Sequence, residues 1–263
     1  MSIKNETFLK DLQPFSRMTV VPGVTVGDLN FASAQSVFST GYIQPTAVAD
    51  TFAANREVDL FQAAIGDNGQ GLAAGQVMTR GQTNWLDSQG RLPANEVFIG
   101  IRCLVSVYKH RNSDKALARG ASFANTAAVY SSQLPIPDVA SVYAILKEFS
   151  WEYQTGDGII RNAGALAGYP QGGGVWEAPL QLAQAAAAQA NPAVAVQNGW
   201  PTPEVARDLP IPFMFLPNIT TRVKVRSGSA ITLTAGSIDY NTNYAEYLAI
   251  RMTFQGYKLT MPV

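Results

Sequence analysis

Glu96-Val97-Phe98-Ile99-Gly100-Ile101-Arg102-Cys103-Leu104-Val105-Ser106-Val107-Tyr108-Lys109 is the stretch on which the reading of this chain turns. Val97, Ile99, Ile101, Cys103, Val105 and Val107 recur at every second position, and Phe98, Gly100, Arg102, Leu104, Ser106 and Tyr108 fill the alternate ones. Successive side chains of a strand point to opposite faces. This period, in a segment so rich in β-branched residues, predicts a long half-buried strand with the first set as its core face. Leu92-Pro93-Ala94-Asn95 supplies the turn that enters it. The same signature is met on both sides, at 58–65, 142–153, 158–162, 210–216, 221–226, 230–234 and 247–259, with a weaker edge strand at 77–85. In 221–226, Thr221, Val223 and Val225 alternate with Arg222, Lys224 and Arg226; in 247–259, Leu248, Ile250, Met252 and Phe254 face inward and Gly256 marks a bulge or close approach. Strands spread through the chain instead of alternating with helices argue for an all-β antiparallel sandwich and against a βαβ enzyme.

Residues 1–50 read as an N-terminal arm. Phe8, Leu9, Leu12 and Phe15 sit at helical spacing, predicting a short amphipathic helix that ends near Pro14. A short strand over 20–26 is broken by Pro22 and Gly23, and the rest of the arm is polar and small. Short helical insertions are predicted at 113–132, stopped by Pro135 and Pro137, and at 180–190, stopped by Pro192. The sandwich domain then runs over 51–263.

Composition narrows the function classes. Of 263 residues, 47% are hydrophobic, enough for a sizeable core, while only 14% are charged. About 25% is usual for a soluble domain, so much of the surface is expected to lie against partners. The formal net charge is zero and the arm lacks Lys/Arg clusters, which argues against sequence-specific nucleic acid binding. No apolar run reaches the ~18 residues of a membrane span, and no secretory leader precedes the arm, so synthesis in the cytoplasm is expected.

Candidate chemistry is sparse. Cys103 is the single cysteine and falls on the apolar face, where it acts as a small buried hydrophobe and forms no internal disulfide. His110 is the single histidine, so sites needing two or three are excluded. Cys103 and His110, on one extended strand, are ~23 Å apart, too far for a nucleophile pair. Glu148 and Glu152, read as one strand face, are ~13 Å apart, too far for a glycosidase pair. The glycines of 66–71 lack the Lys-Ser/Thr ending of a phosphate loop. No catalytic, cofactor or metal residues are therefore expected, and the chain is not read as an enzyme. Trp85, Trp176 and Trp200 stand beside loop residues and are open to two uses, sugar stacking or packing against neighbouring subunits.

Eight firm strands behind a long arm, the phrases Leu92-Pro93-Ala94-Asn95-Glu96-Val97-Phe98 and Phe215-Leu216-Pro217-Asn218, and the ending at 247–259 together resemble the major capsid proteins of tailless, icosahedral, membrane-containing bacteriophages of the corticovirus, tectivirus and sphaerolipovirus type. The resemblance is one of pattern over about residues 55–263. It implies a viral jelly-roll β-sandwich with an N-terminal arm, self-assembling into an icosahedral shell around the genome over an internal membrane and located in the virion. It also implies partners: further copies in a trimeric or pseudo-hexameric capsomer, and other capsid proteins. Two eleven-residue stretches, Leu92 to Arg102 and Leu216 to Arg226, both open on Leu-Pro and close on Arg, which leaves open a compact double jelly roll dividing near 135–140 beside the single roll. Phe8, Leu9, Leu12 and Phe15 would be the assembly contacts of the arm, ordering against adjacent subunits or the layer below instead of folding back as a domain of its own. A virion spike or lectin-like binding module is the alternative function.

Overall fold

The alternation that closes the chain makes one strand paired along both of its edges, and the fold grows outward from it. The computed structural model describes residues 10–43, 51–69, 72, 77–85, 91–111, 139–154, 159–169, 174–178, 193–197, 207–232 and 246–261. Eight principal strands and one helix organise them: β1 (Asn30–Ile43), β2 (Glu57–Leu60), β3 (Glu96–Arg111), α1 (Val139–Glu148), β4 (Phe149–Gln154), β5 (Ile160–Ala165), β6 (Arg207–Phe215), β7 (Arg222–Ser227) and β8 (Glu246–Thr260). They form two four-stranded antiparallel sheets, β6-β3-β8-β1 and β2-β7-β4-β5. Short paired strands at Thr19–Val21 with Val24–Thr25, Thr51–Phe52 with Ile231–Thr232, and Gly174–Ala178 with Ala193–Gln197 lie outside these sheets.

The sheets pack face to face through their alternate residues. Leu248, Ile250, Met252 and Phe254 of β8 and Cys103, Val105 and Val107 of β3 meet Val58, Leu60, Trp151, Val223 and Val225 of the second sheet. Aromatic rings fill the middle: Phe213 stacks on Phe254 with centroids 4.5 Å apart, Tyr153 meets Phe213 at 5.0 Å, and Trp85 meets Phe215 at 4.7 Å. Each fully buried side chain of this size contributes roughly 1.5–3 kcal/mol before ordering costs. The outward residues of the second sheet are polar, with Lys224 Nζ 3.1 Å from Glu57 and Arg222 3.7 Å from Asp59. That is the alternation the sequence shows at 221–226.

The strand at 96–109 is present, but its two faces are not the ones its period predicts. On β3, Gly100 sits opposite Gly256 and Arg102 opposite Gln255, so Ile101 is an extra residue, a β-bulge. Before the bulge, Val97 and Ile99 point away from the sandwich and Phe98 points in; after it, Cys103, Val105 and Val107 point in. The six residues read as one core face therefore serve two apolar layers. Gly256 makes the bulge possible: a Cβ there would collide with the Ile99 carbonyl oxygen and lie 2.8 Å from Gly100 Cα.

Other expectations need correction. Residues 139–148 are helix α1 and only 149–154 are strand. Glu148 thus ends a helix, its Oε2 accepting from Ser229 Oγ at 2.6 Å, and shares no strand face with Glu152. Residues 30–43, assigned to the arm, form β1, which pairs with β8 over its whole length. The boundary at 50 falls accordingly. The 77–85 segment is a loop whose Thr83 makes one isolated bridge to Ser39. A division near 135–140 would cut both sheets, each of which takes strands from either side of it, so the two-roll alternative is not what these residues build. The two Leu-Pro phrases instead meet, Asn218 N donating to Leu92 O at 3.0 Å, before entering different sheets. The predicted helices at 113–132 and 180–190 lie outside the described residues. Among the described residues no helix is long and apolar enough to cross a membrane.

The bulge sets a stability order that chemical denaturation can read. Ile250→Ala, at a fully buried position, is expected to cost ~2–5 kcal/mol. Ile101→Ala, at the half-buried bulge residue, should cost less than half of that. Gly256→Ala is expected to cost ~1–3 kcal/mol or more through overpacking, whereas Gly81→Ala, where the nearest neighbour to a new Cβ is 3.8 Å away, should be near neutral. Equal losses for Ile101→Ala and Ile250→Ala would remove the bulge from this account.

Candidate functional site

Turning Val97 and Ile99 outward leaves an apolar patch on the outer face of the first sheet, and the N-terminal segment covers it. Leu12, Val20 and Val26 are buried there with Val97, Ile99 and Leu259, and Phe15, Met18, Val21 and Leu29 pack around them against Phe31, Met214, Leu216 and Tyr257. The segment holds this shape by local means. Residues 10–12 are helical and pass into a 3-10 turn at Gln13–Phe15, with Pro14 at a position where its missing N–H costs nothing. A tight hairpin follows, turning at Gly23 with φ +83. Val26 N donates to Met18 O and Gly27 N to Ser16 O, both at 2.9 Å. The Asp28 carboxylate accepts from Thr25 Oγ1 at 2.7 Å and Thr25 N at 2.8 Å, and these bonds hold its pKa below the usual value.

A polar contact fastens this strap to the sheet. Tyr257 Oη donates to Asp11 Oδ2 at 2.6 Å. Desolvation first, and then the Asp11 carboxylate, push the tyrosine up to about 12. Beside it, Arg102 Nε donates to Asp208 Oδ1 at 2.7 Å, which raises the guanidinium further. Between strap and sheet runs an open groove of about 330 Å³ lined by Asp11, Gln35, Ser36, Arg102, Gln255 and Tyr257 among others. Its tyrosine and arginine keep their protons at neutral pH. They can donate hydrogen bonds but neither can act as a base.

The residues singled out from the sequence are distributed as follows. Leu12 and Phe15 lie in this outer cluster, on the sheet of their own chain; Phe8 and Leu9 lie outside the described residues. Val97 and Ile99 belong to the same cluster, with Ile101 at its margin; Cys103, Val105 and Val107 belong to the inner core. Cys103 is fully buried, and desolvation pushes its thiol pKa far up, so it is an unreactive core residue. His110 is on β3 opposite Tyr247, seven strand positions from Cys103, and its side chain is not among those described. Trp85 is 3% exposed and edge-on to Phe61 at 5.5 Å, so it is a core residue and no platform for sugar. The Trp176 side chain and all of Trp200 lie outside what is described. Among the described residues no three His, Cys, Asp or Glu side chains group as a metal site requires. The Asp11–Tyr257 and Arg102–Asp208 pairs had no sequence signal, because both join residues more than 100 positions apart.

Against known proteins, no family model, characterised protein or solved structure matches this chain.

The fastening of the strap is expected to depend on pH at the alkaline end. Tyr257 has a folded pKa of about 12 against 10.0 for the ordinary side chain. A raised pKa contributes stability that is complete below 10 and is lost as pH rises through 12. Tyr257→Phe should lower stability by ~1 kcal/mol near neutral pH, and the difference between the two proteins' stability curves should shrink as pH rises from 10 to 12. Parallel curves from pH 9 to 12 would show that the hydroxyl does not hold the strap.

Proposed function

We propose that this chain is a structural virion protein, the major subunit of an icosahedral shell of the tailless, membrane-containing bacteriophage type, and that its sandwich is a single viral jelly roll. The observation that carries the reading is the pairing order of the eight strands. β1 pairs with β8, β2 with β7, β3 with β6 and β4 with β5, so every such pair sums to nine. A long antiparallel hairpin rolled up on itself pairs its strands in this way, and the rolled hairpin with two Greek keys is the jelly roll used by shell proteins. Lectins and cupins share the architecture, so the fold alone does not select the function. The low charge of 14% and a net charge of zero favour a surface built for contact with further copies over one built for isolated solvation.

In this reading the chain acts by packing, as a capsomer of three or pseudo-six copies beside other capsid proteins, in the virion and above an internal membrane. A spike or lectin-like role is less well supported, because the buried Trp85 removes one of the three tryptophans that could stack on sugars.

Expression of the full chain followed by size-exclusion chromatography and negative-stain electron microscopy tests the proposal. Closed shells, or capsomers that close into shells on mixing with anionic lipid vesicles, are the expected products. A monomer that stays monomeric across salt and concentration, with or without vesicles, would remove the shell reading.

A further inference from the structure

The two sheets end in different ways at their two flanks. On one, β1 and β2 are tied together, Phe61 N donating to Ser39 Oγ at 3.0 Å. On the other lie the edge strands β5 and β6, linked through Tyr153, whose ring is 5.0 Å from Phe213 and 5.9 Å from the Arg161 guanidinium carbon. Five large hydrophobic side chains are recorded as exposed among the described residues, and three belong to this flank: Ile159 at 56%, Ile160 at 62% and Ile211 at 67%.

Strand addition is blocked at both edges. β6 contains Pro210 and Pro212, which lack an N–H, and its register jumps between Asp208 and Phe213. β5 is short and jumps register opposite Trp151 and Glu152, with Gly164 at φ +96. A partner must therefore meet side chains here and not extend a sheet. The flank also carries opposite charges on its two strands, Arg161 on β5 and Asp208 on β6, the latter with a side chain 78% exposed and only one oxygen held by Arg102.

We propose that this flank is a two-fold interface with a second copy of this chain. A two-fold contact is self-complementary, so any charges that pair across it come from one surface offering both signs, each set against its opposite. Arg161 of each copy faces Asp208 of the other, and the isoleucines close between them. The inference rests on the reading of the chain as an assembling subunit and says which surface it assembles by.

Charge reversal in the full-length protein tests it, read by sedimentation equilibrium. Arg161→Asp and Asp208→Arg each place like charges opposite one another twice per dimer, and each is expected to weaken dimerisation by about a hundredfold. Mixing the two variants restores both pairs and should return the affinity to near that of the parent. Ile160→Ser with Ile211→Ser, at exposed positions that leave the core intact, should weaken association in the same way. A parent protein that is monomeric throughout, reversals without effect, or a mixture that fails to recover would each overturn the proposal. Dimers that obey these rules without ever forming shells would uphold the flank and remove the shell reading. Shells indifferent to all four substitutions would do the reverse.

Discussion

The close passage of Gly256 against the Ile99 carbonyl is the constraint from which the rest of the molecule follows. It lets β3 carry one residue more than β8 at Gly100-Ile101, and a single extra residue reverses the facing of everything beyond it. The bulge sends Val97 and Ile99 to the outer layer and Cys103, Val105 and Val107 to the inner one. The N-terminal strap has a surface to cover only because of that reversal. The same extra residue puts Ile101 and Arg102 side by side on the lining of the groove, and Arg102 in reach of Asp208.

A sandwich with open edges must keep those edges from pairing indiscriminately, and this one does so by different means at each flank. Along β1 the exposed backbone is matched by the 82–84 loop: Phe38 N donates to Asn84 Oδ1 at 2.7 Å, Asn84 Nδ2 to Ser36 O at 2.7 Å, and Thr40 Oγ1 to Gln82 O at 2.7 Å. A side-chain amide there imitates a strand, with one donor and one acceptor set into the ladder. Arg251 crosses the same ground, bonding Gly81 O and lying over the Phe38 ring at 5.1 Å. Along β5 and β6 irregular register and proline take over this task, and side chains stay outward.

Legibility in the sequence followed the environment of each segment. The strand at 222–227 was readable because one of its faces meets water and the other the core, so polarity and burial alternate together. The segment at 142–148 was misread because Ile145 and Phe149 are four apart, a spacing that is even, as a strand requires, and also close to one helical turn. β1 was missed for a different reason. Its sequence, Asn-Phe-Ala-Ser-Ala-Gln-Ser-Val-Phe-Ser-Thr-Gly-Tyr-Ile, looks like a polar arm, yet Ser39 and Thr40 are buried with their hydroxyls bonded. Gly41 belongs there because a Cβ would lie 2.7 Å from Val58 Cγ2, so small residues serve the close approach of the two sheets. The core strand at 96–111 was found, but a bulge has no hydrophobic signature, and its faces could not be assigned from periodicity.

The strap bears on how copies of this chain can meet. An arm that exchanges between subunits needs a hinge, a few residues free to change direction between the arm and the body. Here the 3-10 turn at Val26–Asp28 ends, Leu29 intervenes, and Asn30 is already paired with Thr260 in β8. Leu29 itself packs in the outer cluster, so the one residue available as a hinge is held on its own subunit. Lifting the strap would also uncover Val97, Ile99 and Leu259, all fully buried, and fully burying each of them contributes roughly 1.5–3 kcal/mol. A strap lifted with no equivalent surface to receive it therefore costs a second apolar layer, and in the single chain residues 12–29 cover the sheet from which they lead. In the proposed assembly, surfaces that are complete in the single chain are then the first candidates for contact between copies. Of the sandwich flanks, the one bearing Ile160, Ile211, Arg161 and Asp208 offers apolar area, both signs of charge and edges that cannot be extended by another strand.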